Sequence, residues 1–296
     1  MTTDKPRLGF IGLGLMGQAF TARLTDCGYQ VTGYDIDTAK VEAATRHGVI
    51  AAASPAEVAA ASGIVLVCVI STDAVRQVVL GDDGIKSAGT ADKLIVDHST
   101  SVVSDTKEMA ALLLADTGMG WVDAPVSGGP GAARDGSLAI MAGGTEADIA
   151  RIEPVMADLS ASFTRFGDVG AGQVAKMVNQ TLVLNNYAVL AEALALAEAG
   201  GIDASKIPDA LAAGHAGSNM LKAVFPRMIA RDFEPLGYAR QILKDLDMLH
   251  DLAKQLKSPT PMSSQASSLF RILCSKGHEE LDGIAVLKLY DQKDRV

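Results

Sequence analysis

The sequence predicts an α/β N-terminal domain followed by an all-α C-terminal domain, with one long helix joining them. In residues 1–165, short runs rich in β-branched residues alternate with longer Ala-rich stretches of helical periodicity, the pattern of parallel βαβ units. After residue 172 the sequence shows only helical periodicities. The length of 296 residues is sufficient for two domains. We therefore expect a parallel-sheet domain over residues 1–165 and a helical domain over residues 166–296.

Each predicted element follows from a local pattern. The run at residues 64–69, IVLVCV, is apolar throughout, as expected of a strand buried on both faces. Ser54 and Pro55 are typical of the N-cap and first position of a helix. Further strands are predicted at residues 7–11, 30–34, 94–96, 121–122 and 138–142, and helices at 15–27, 38–47, 172–199, 203–213, 219–230, 238–256, 263–276 and 283–290.

Composition and charge exclude several classes of function. With 26 basic and 35 acidic residues the net charge is −9, which argues against a broad surface for nucleic acid or an anionic membrane. The three cysteines and five histidines are scattered, so we expect reduced thiols and no metal site. The first residues contain no apolar stretch preceded by a basic region and followed by a cleavage site, so we expect no secretory signal and a cytoplasmic location. Residues 181–199 are apolar enough to suggest a transmembrane helix. Two asparagines and two glutamates interrupt them, which favours a helix buried within the protein.

A glycine-rich turn between the first predicted strand and helix indicates a dinucleotide site. Gly12, Gly14 and Gly17, with Leu15 and Met16 between them, form a GxGxxG pattern. The first glycine allows a tight turn, the second a close approach of the backbone to a pyrophosphate, and the third close packing of helix on strand. The pyrophosphate is expected at the helix N-terminus, where N–H groups and the helix dipole favour anions. A glycine turn without a ligand is the alternative.

An acidic residue at the end of the second predicted strand bears on which dinucleotide binds. Asp35 lies 21 positions after Gly14, where a carboxylate accepts hydrogen bonds from ribose hydroxyls and repels a 2′-phosphate. No arginine follows it directly. The sequence therefore predicts NAD rather than NADP as cofactor, a solvated loop aspartate being the alternative.

Two further patterns indicate a substrate site. Ser127, Gly128 and Gly129 follow a predicted strand, where a hydroxyl and unobstructed N–H groups form a concavity suited to a carboxylate, although any turn also uses such glycines. Lys176, Asn179 and Gln180 share one face near the start of the long apolar helix. Desolvation would lower the pKa of such a lysine towards the range needed for proton transfer. A lysine exposed to solvent is the alternative.

Taken together, these motifs resemble those of the β-hydroxyacid dehydrogenase family, which includes 3-hydroxyisobutyrate dehydrogenase and 2-hydroxy-3-oxopropionate (tartronate semialdehyde) reductase. The resemblance rests on GLGLMG at 12–17, DHSTSVVS at 97–104, DAPVSGGPGA at 123–132, GxxGxGxxxKxxNQ at 167–180 and KDL at 244–246. It implies an N-terminal Rossmann domain, a long interdomain helix and a helical C-terminal domain, assembled as a homodimer or homotetramer.

The resemblance also assigns roles to individual residues. It implies that Ser127, Gly128 and Gly129 bind the substrate carboxylate, that Lys176 is the general acid/base, that Asn179 and Gln180 orient the substrate, that Thr100 lies near the nicotinamide, and that Lys244 closes on the cofactor side. By spacing alone, Lys244 is equally consistent with a solvated helix face. Gln180 stands where the family usually has a second asparagine, a variant associated with the tartronate semialdehyde branch.

The expected activity is NAD-dependent hydride transfer involving a short 3-hydroxy acid or its semialdehyde, with no metal. Oxidation of 3-hydroxyisobutyrate and reduction of tartronate semialdehyde both fit. A non-catalytic NAD-binding sensor is the alternative from another class, and the polar face at Lys176 argues against it. Lys176 and Asp35 argue against an imine reductase. The chain length argues against a 6-phosphogluconate dehydrogenase, which requires a larger C-terminal domain.

Overall fold

The computed structural model describes residues 5–290 and divides into two compact units, Met1–Lys176 and Met177–Val296. The first unit is α/β and the second is helical, so the fold class predicted from the sequence is confirmed. The division falls inside the long helix, whereas the sequence places the domain boundary at residue 165, before that helix begins.

One nine-stranded sheet forms the centre of the first unit. Its strands are β1 (Leu8–Ile11), β2 (Val31–Tyr34), β3 (Ile50–Ala51), β4 (Ile64–Val67), β5 (Leu94–Asp97), β6 (Gly120–Asp123), β7 (Val126–Ser127), β8 (Leu138–Gly143) and β9 (Ser160–Gly167). Strands β3-β2-β1-β4-β5-β6 are parallel and adjacent in that order, so the order reverses between β1 and β4. Such a reversal opens a crevice at the carboxyl ends of the strands, where doubly wound sheets bind dinucleotides.

The central strands are apolar because both of their faces are covered. All four residues of β4 are buried, and alternate residues contribute to different cores. Ile64 and Leu66 pack in one cluster with Leu8 and Phe10, whereas Val65 and Val67 belong to the cluster on the other face. This arrangement explains the continuous apolar run, since a two-residue period places successive side chains on opposite faces.

Among the residues of this unit that the structure describes, seven α-helices precede the long one. They are α1 (Leu15–Asp26), α2 (Thr38–Thr45), α3 (Pro55–Ala61), α4 (Thr72–Leu80), α5 (Val103–Thr117), α6 (Gly129–Asp135) and α7 (Glu146–Leu159). Ser54 is the N-cap of α3, as predicted, and its hydroxyl accepts a hydrogen bond from the Glu57 N–H. The sequence analysis missed β3, β7 and β9. The first two contain two residues each, and β9 is a largely exposed polar strand whose partner is distant in sequence.

The second unit is built from helices around its own apolar core. It contains most of α8 (Ala171–Ala199), followed by α9 (Ile207–Ala210), α10 (Asn219–Ala230), α11 (Ala239–Leu256) and α12 (Pro261–Ser275). Two predicted helices are wrong in type or length. Residues 203–213 form a short 3₁₀ turn and the four-residue α9, and Gly283–Leu289 is a 3₁₀ helix.

Helix α8 is long and apolar enough to cross a membrane, with a mean hydropathy of 1.3 over its most apolar 18-residue window. One third of that window (33%) is buried inside the structure. The apolar side chains Leu184, Ala191 and Leu194 pack into the core of the second unit, which accounts for their hydrophobicity.

Candidate active site

The glycine-rich turn joins β1 to α1, and two of its glycines are required by the surrounding backbone. Gly12 has a positive φ of 95°, and a Cβ atom there would lie 2.2 Å from the Cys68 carbonyl oxygen. A Cβ atom on Gly17 would lie 2.0 Å from the Gly12 carbonyl oxygen, so Gly17 allows α1 to pack against the turn. Leu15 is half-exposed, whereas Met16 packs against the core.

Gly14 differs, because a Cβ atom there would meet no protein atom within 4 Å. It is the N-cap of α1, with no side-chain capping hydrogen bond and no acidic residue in the first turn of the helix. The first N–H groups of a helix have no partners within the helix and attract anions. The open space beside Gly14 therefore fits the diphosphate of a dinucleotide.

Asp35 lies at the end of β2 beside this turn and is mostly buried. Its Oδ2 accepts a hydrogen bond from the Leu13 N–H (2.7 Å), and its Oδ1 accepts one from the Asp37 N–H (2.9 Å). Lys40 Nζ lies 3.8 Å from Asp35 Oδ1 and 3.6 Å from Asp37 Oδ2. The sequence analysis found Asp35 but missed Lys40, because α2 brings the lysine back to the carboxylate.

The first turn of α8 is attached to the sheet by a buried carboxylate. Asp123, the last residue of β6, is fully buried. Its Oδ1 accepts a hydrogen bond from the Gly170 N–H (2.6 Å), and its Oδ2 accepts one from the Gln173 N–H (2.9 Å). A Cβ atom on Gly172 would lie 2.5 Å from the Met141 carbonyl oxygen, so this glycine permits the close contact.

Lys176 lies one helical turn after Gly172, and its side chain is buried, with 8% of its surface exposed. Its ammonium nitrogen donates a hydrogen bond to the carbonyl oxygen of Val126 at 2.7 Å. Val126 and Ser127 form strand β7, so the lysine nitrogen lies against the segment that contains Ser127, Gly128 and Gly129. The structure therefore brings together two motifs separated by about 50 residues of sequence.

The Ser127 segment has the geometry of an open, glycine-lined turn. Gly128 and Gly129 both have positive φ, 132° and 73°. A Cβ atom on Gly129 would meet no protein atom within 4 Å, whereas one on Gly128 would lie 2.6 Å from the Ala132 Cβ. Gly128 is thus required by packing, and the space beside Gly129 is open to a small ligand.

Thr100 lies in the loop after β5, in the DHST motif. The flanking residues Ser99 and Ser101 are buried, and both hydrogen-bond through their backbone to the Gln173 side chain. Asp97 precedes the loop, and its Oδ1 accepts a hydrogen bond from the Ser99 N–H at 2.9 Å.

Burial shifts the pKa of three groups next to these loops, Asp97, His98 and Asp123. Desolvation raises the pKa of Asp97 to about 7 and that of Asp123 to about 6, from an ordinary value of 3.8. Backbone N–H groups from the start of α8 lower the pKa of Asp123 and offset part of this effect. Burial lowers the pKa of His98 to about 4, so its ring is neutral at pH 7. Its Nδ1 lies 2.7 Å from the Ala124 carbonyl oxygen and its ring stacks on Phe20. The contacts of His98 are those of a core residue.

The remaining predicted residues lie in the second unit and form a polar chain. Asn179 Nδ2 donates to Gln180 Oε1 (3.0 Å), and Gln180 Nε2 donates to Asp245 Oδ2 (2.5 Å). Lys244 Nζ lies 3.1 Å from the other oxygen of Asp245. Because a carboxylate only accepts, Asp245 fixes the direction of both amides. Spacing alone does not reveal the role of Asp245, since it acts through a contact 65 residues away.

Two family models match the two halves of the chain. Residues 7–167 match the NAD binding domain of 6-phosphogluconate dehydrogenase, and residues 170–290 match the NAD-binding domain of NADP-dependent 3-hydroxyisobutyrate dehydrogenase. The 2-hydroxy-3-oxopropionate reductase of Escherichia coli (strain K12) is 34% identical over 282 residues, which cover 95% of this chain and 96% of the reductase. The chain belongs to the β-hydroxyacid dehydrogenase family.

Solved structures agree with this assignment. A 3-hydroxyisobutyrate dehydrogenase from Salmonella typhimurium is 30% identical, with a TM-score of 0.87, and the match covers 96% of this chain and all (100%) of that one. An imine reductase from Pseudomonas sp. covers 97% of this chain and 100% of its own, but at 20% identity and a TM-score of 0.63 it shares the fold alone. The chain is thus an NAD(P)-binding oxidoreductase acting on CH–OH groups.

Proposed function

We propose that this β-hydroxyacid dehydrogenase uses NAD to oxidise a short 3-hydroxy acid of the 3-hydroxyisobutyrate type, with Lys176 as general acid/base. The hydrogen bond from the buried Lys176 nitrogen to Val126, beside Ser127 and the two glycines, carries the proposal. This contact supports the proposal, because a short 3-hydroxy acid carries its hydroxyl within a few ångströms of its carboxylate and could reach both the lysine nitrogen and the turn.

In this proposal some residues bind the substrate and Lys176 transfers the proton. Ser127, Gly128 and Gly129 bind the substrate carboxylate, and Asn179 and Gln180 orient the hydroxyl. NAD, when bound, would supply the acceptor for the hydride of the carbinol carbon. Neutral Lys176 takes the hydroxyl proton during oxidation. In reduction its ammonium donates that proton and stabilises the negative charge that develops on oxygen.

The proposed cofactor contacts begin at the glycine-rich turn after β1. The N-terminus of α1 binds the diphosphate through Gly14, Leu15 and Met16, with Gly12 and Gly17 shaping the turn. Asp35 accepts hydrogen bonds from the ribose, and its charge disfavours the additional phosphate of NADP. In this proposal Thr100 and Lys244 contact the nicotinamide side.

Reduction of tartronate semialdehyde is a second candidate. Gln180 supports it, since the second amide of the usual pair is a glutamine here, and the Escherichia coli relative is named as that reductase. The two candidates differ in the direction of reaction and in the group on the carbon next to the carboxylate.

The test is a panel of assays that follow reduced nicotinamide with NAD or NADP supplied separately. The oxidisable substrates are 3-hydroxyisobutyrate, D-glycerate, L-serine, L-threonate and 4-hydroxybutyrate, and tartronate and succinic semialdehydes are tested in reduction. We expect turnover of one short hydroxy acid or semialdehyde with a preference for NAD. Preference for NADP would contradict the role of Asp35. Cofactor binding without turnover of any substrate would favour a sensor.

Substitution of Lys176 tests the acid/base directly. Lys176→Met should lower kcat by about 10²- to 10⁴-fold, the usual contribution of a general acid/base, while the Kd for NAD stays unchanged. Lys93→Met is the matched control, because Lys93 also donates to a backbone carbonyl, that of Ala59, but precedes β5 at the other end of the sheet. Near-full activity of Lys176→Met would disprove the assignment.

A further inference from the structure

Gln173 is a fully buried residue in the first turn of α8 that connects two parts of the site. Its Nε2 donates a hydrogen bond to the Ser99 carbonyl oxygen at 2.8 Å, and its Oε1 accepts one from the Ser101 N–H at 3.1 Å. One glutamine side chain thus holds the backbone on both sides of Thr100. Its own N–H donates to Asp123 Oδ2, so the same residue is anchored to β6.

The loop held by Gln173 lies where the second half of a dinucleotide is expected. In a sheet ordered β3-β2-β1-β4-β5-β6, the dinucleotide spans the carboxyl ends of the strands from one mononucleotide-binding half to the other. The glycine turn follows β1 in the first half. Thr100 follows β5 in the second half, and therefore lies on the side of the nicotinamide.

Gln173 is also joined rigidly to Lys176, which follows three residues later on the same helix. Residues separated by three positions are neighbours on a helix surface. A primary amide offers one donor and one acceptor at the spacing of a peptide group, so it satisfies both Ser99 and Ser101 with a single geometry. A shift of either group by about 1 Å can cost about 100-fold in rate.

We propose that Gln173 is a positioning residue that fixes the Thr100 loop relative to Lys176 and so aligns the nicotinamide with the general acid/base. The proposal rests on the proposed function, because it takes Lys176 as the proton-transfer group. Gln173 acts through the Thr100 loop and Lys176, and it does not touch the substrate.

Gln173→Met keeps the shape of the side chain and removes both hydrogen bonds. We expect kcat to fall by about 10- to 100-fold, while the Kd for NAD, measured by fluorescence, changes by less than about threefold. Misalignment slows hydride transfer, so the primary deuterium isotope effect on kcat, measured with substrate deuterated at the carbinol carbon, should increase. Ser62→Ala is the control, since it removes a buried hydroxyl of the same unit that donates to the Val58 carbonyl oxygen, shortly before β4 at the amino end of the sheet.

Gln173→Glu provides a second variant that is independent of any packing defect in Gln173→Met. A protonated glutamic acid supplies the same donor and acceptor as glutamine, whereas the ionised form turns an acceptor towards the Ser99 carbonyl oxygen. The ratio of the variant's kcat to the wild-type kcat should therefore fall as the pH rises from about 5 to about 9. The ratio cancels the titration of groups common to both proteins. Charged or titratable side chains on the elements around this position include Asp97, His98, Lys107, Asp123 and Lys176.

The outcomes separate this inference from the proposed function. If Lys176→Met retains activity, the proposed function is wrong and the inference falls with it. If Lys176→Met is inactive but Gln173→Met keeps the wild-type kcat and isotope effect, only the inference is overturned. A pH-independent ratio for Gln173→Glu also overturns it.

Discussion

Helices α1 and α8 both begin after glycine-rich turns at the carboxyl ends of strands, but their N-termini are satisfied differently. At the start of α8, the carboxylate of Asp123 accepts the N–H groups of Gly170 and Gln173. At the start of α1, no side chain caps Gly14 and the first turn holds no acidic residue. Both helix ends attract negative charge. The protein supplies the anion in one case and leaves the position open in the other.

A glycine-rich turn before a helix therefore serves two purposes in this protein. An internal carboxylate fixes α8 to the sheet, which suits a helix that must hold Lys176 against Val126. An open N-terminus suits a helix whose anion arrives with a ligand. The glycines reflect this division, because Gly172 is enclosed by protein atoms and Gly14 faces open space.

The largest expected effect on folding follows from Gly172→Ala. The new Cβ atom would lie 2.5 Å from the Met141 carbonyl oxygen and 2.6 Å from that of Asp123. We expect the free energy of unfolding, measured in urea, to fall by about 1–3 kcal/mol from overpacking, although alanine favours helices. An unchanged unfolding midpoint would show that the start of α8 is not packed as tightly as described.

Gly14→Ala should weaken cofactor binding and leave stability unchanged, the opposite of Gly172→Ala. Since its Cβ atom meets no protein atom within 4 Å, the unfolding midpoint should remain that of the wild type. The Kd for NAD should rise about tenfold or more, a loss of about 1.4 kcal/mol, because the methyl group occupies the space for the diphosphate. The control is Gly63→Ala, which also points into open space but precedes β4 at the amino end of the sheet. Unchanged affinity in Gly14→Ala would place the cofactor elsewhere.

A pH-dependent effect on stability is expected at Asp97, the register partner of Asp123 on the neighbouring strand. Its pKa rises from 3.8 to about 7 on folding, so the folded state binds the proton more tightly and stability is lost as the pH rises through this window. Asp97→Asn stays neutral. Its free energy of unfolding should therefore rise relative to that of wild type as the pH rises from about 4 to about 7.

Urea unfolding of Asp97→Asn and wild type at several pH values provides the measurement. The difference between the two proteins removes the contribution of His98, whose lowered pKa makes stability rise with pH. Parallel curves for the two proteins would contradict the raised pKa of Asp97. A gain that levels off above about pH 7 would agree with it.

Much of the fold was predictable because its signals are local. The apolar run of β4 and the caps of the helices lie within a few residues of the elements they define. Strand β9 was not predictable in this way, because most of its residues are polar or exposed and it is defined by its pairing with β8. A helix was predicted at residues 283–290, but its 3₁₀ form was not, since its apolar residues are buried whichever helical form they adopt.

The candidate site was predictable in its motifs but not in its connections. The glycine turn, Asp35, Ser127 and Lys176 stand out by spacing and residue type. Lys40, Asp123, Gln173 and Asp245 do not, because each acts through a contact with a residue distant in sequence or on another element. Gln173 lies inside a motif identified from the sequence, yet nothing local shows what its amide binds.

The fold class, the family and the residues able to bind a dinucleotide and transfer a proton could be predicted without the tertiary structure. These properties follow from periodicity and from the chemistry of single side chains, which short segments carry. Three contacts follow only from the tertiary structure. Lys176 hydrogen-bonds to Val126, and Gln173 hydrogen-bonds to the loop around Thr100. Asp123 caps the N-terminus of α8, whereas the N-terminus of α1 has no such carboxylate. Such contacts depend on the order of strands in the sheet, which brings the ends of distant segments to a common edge.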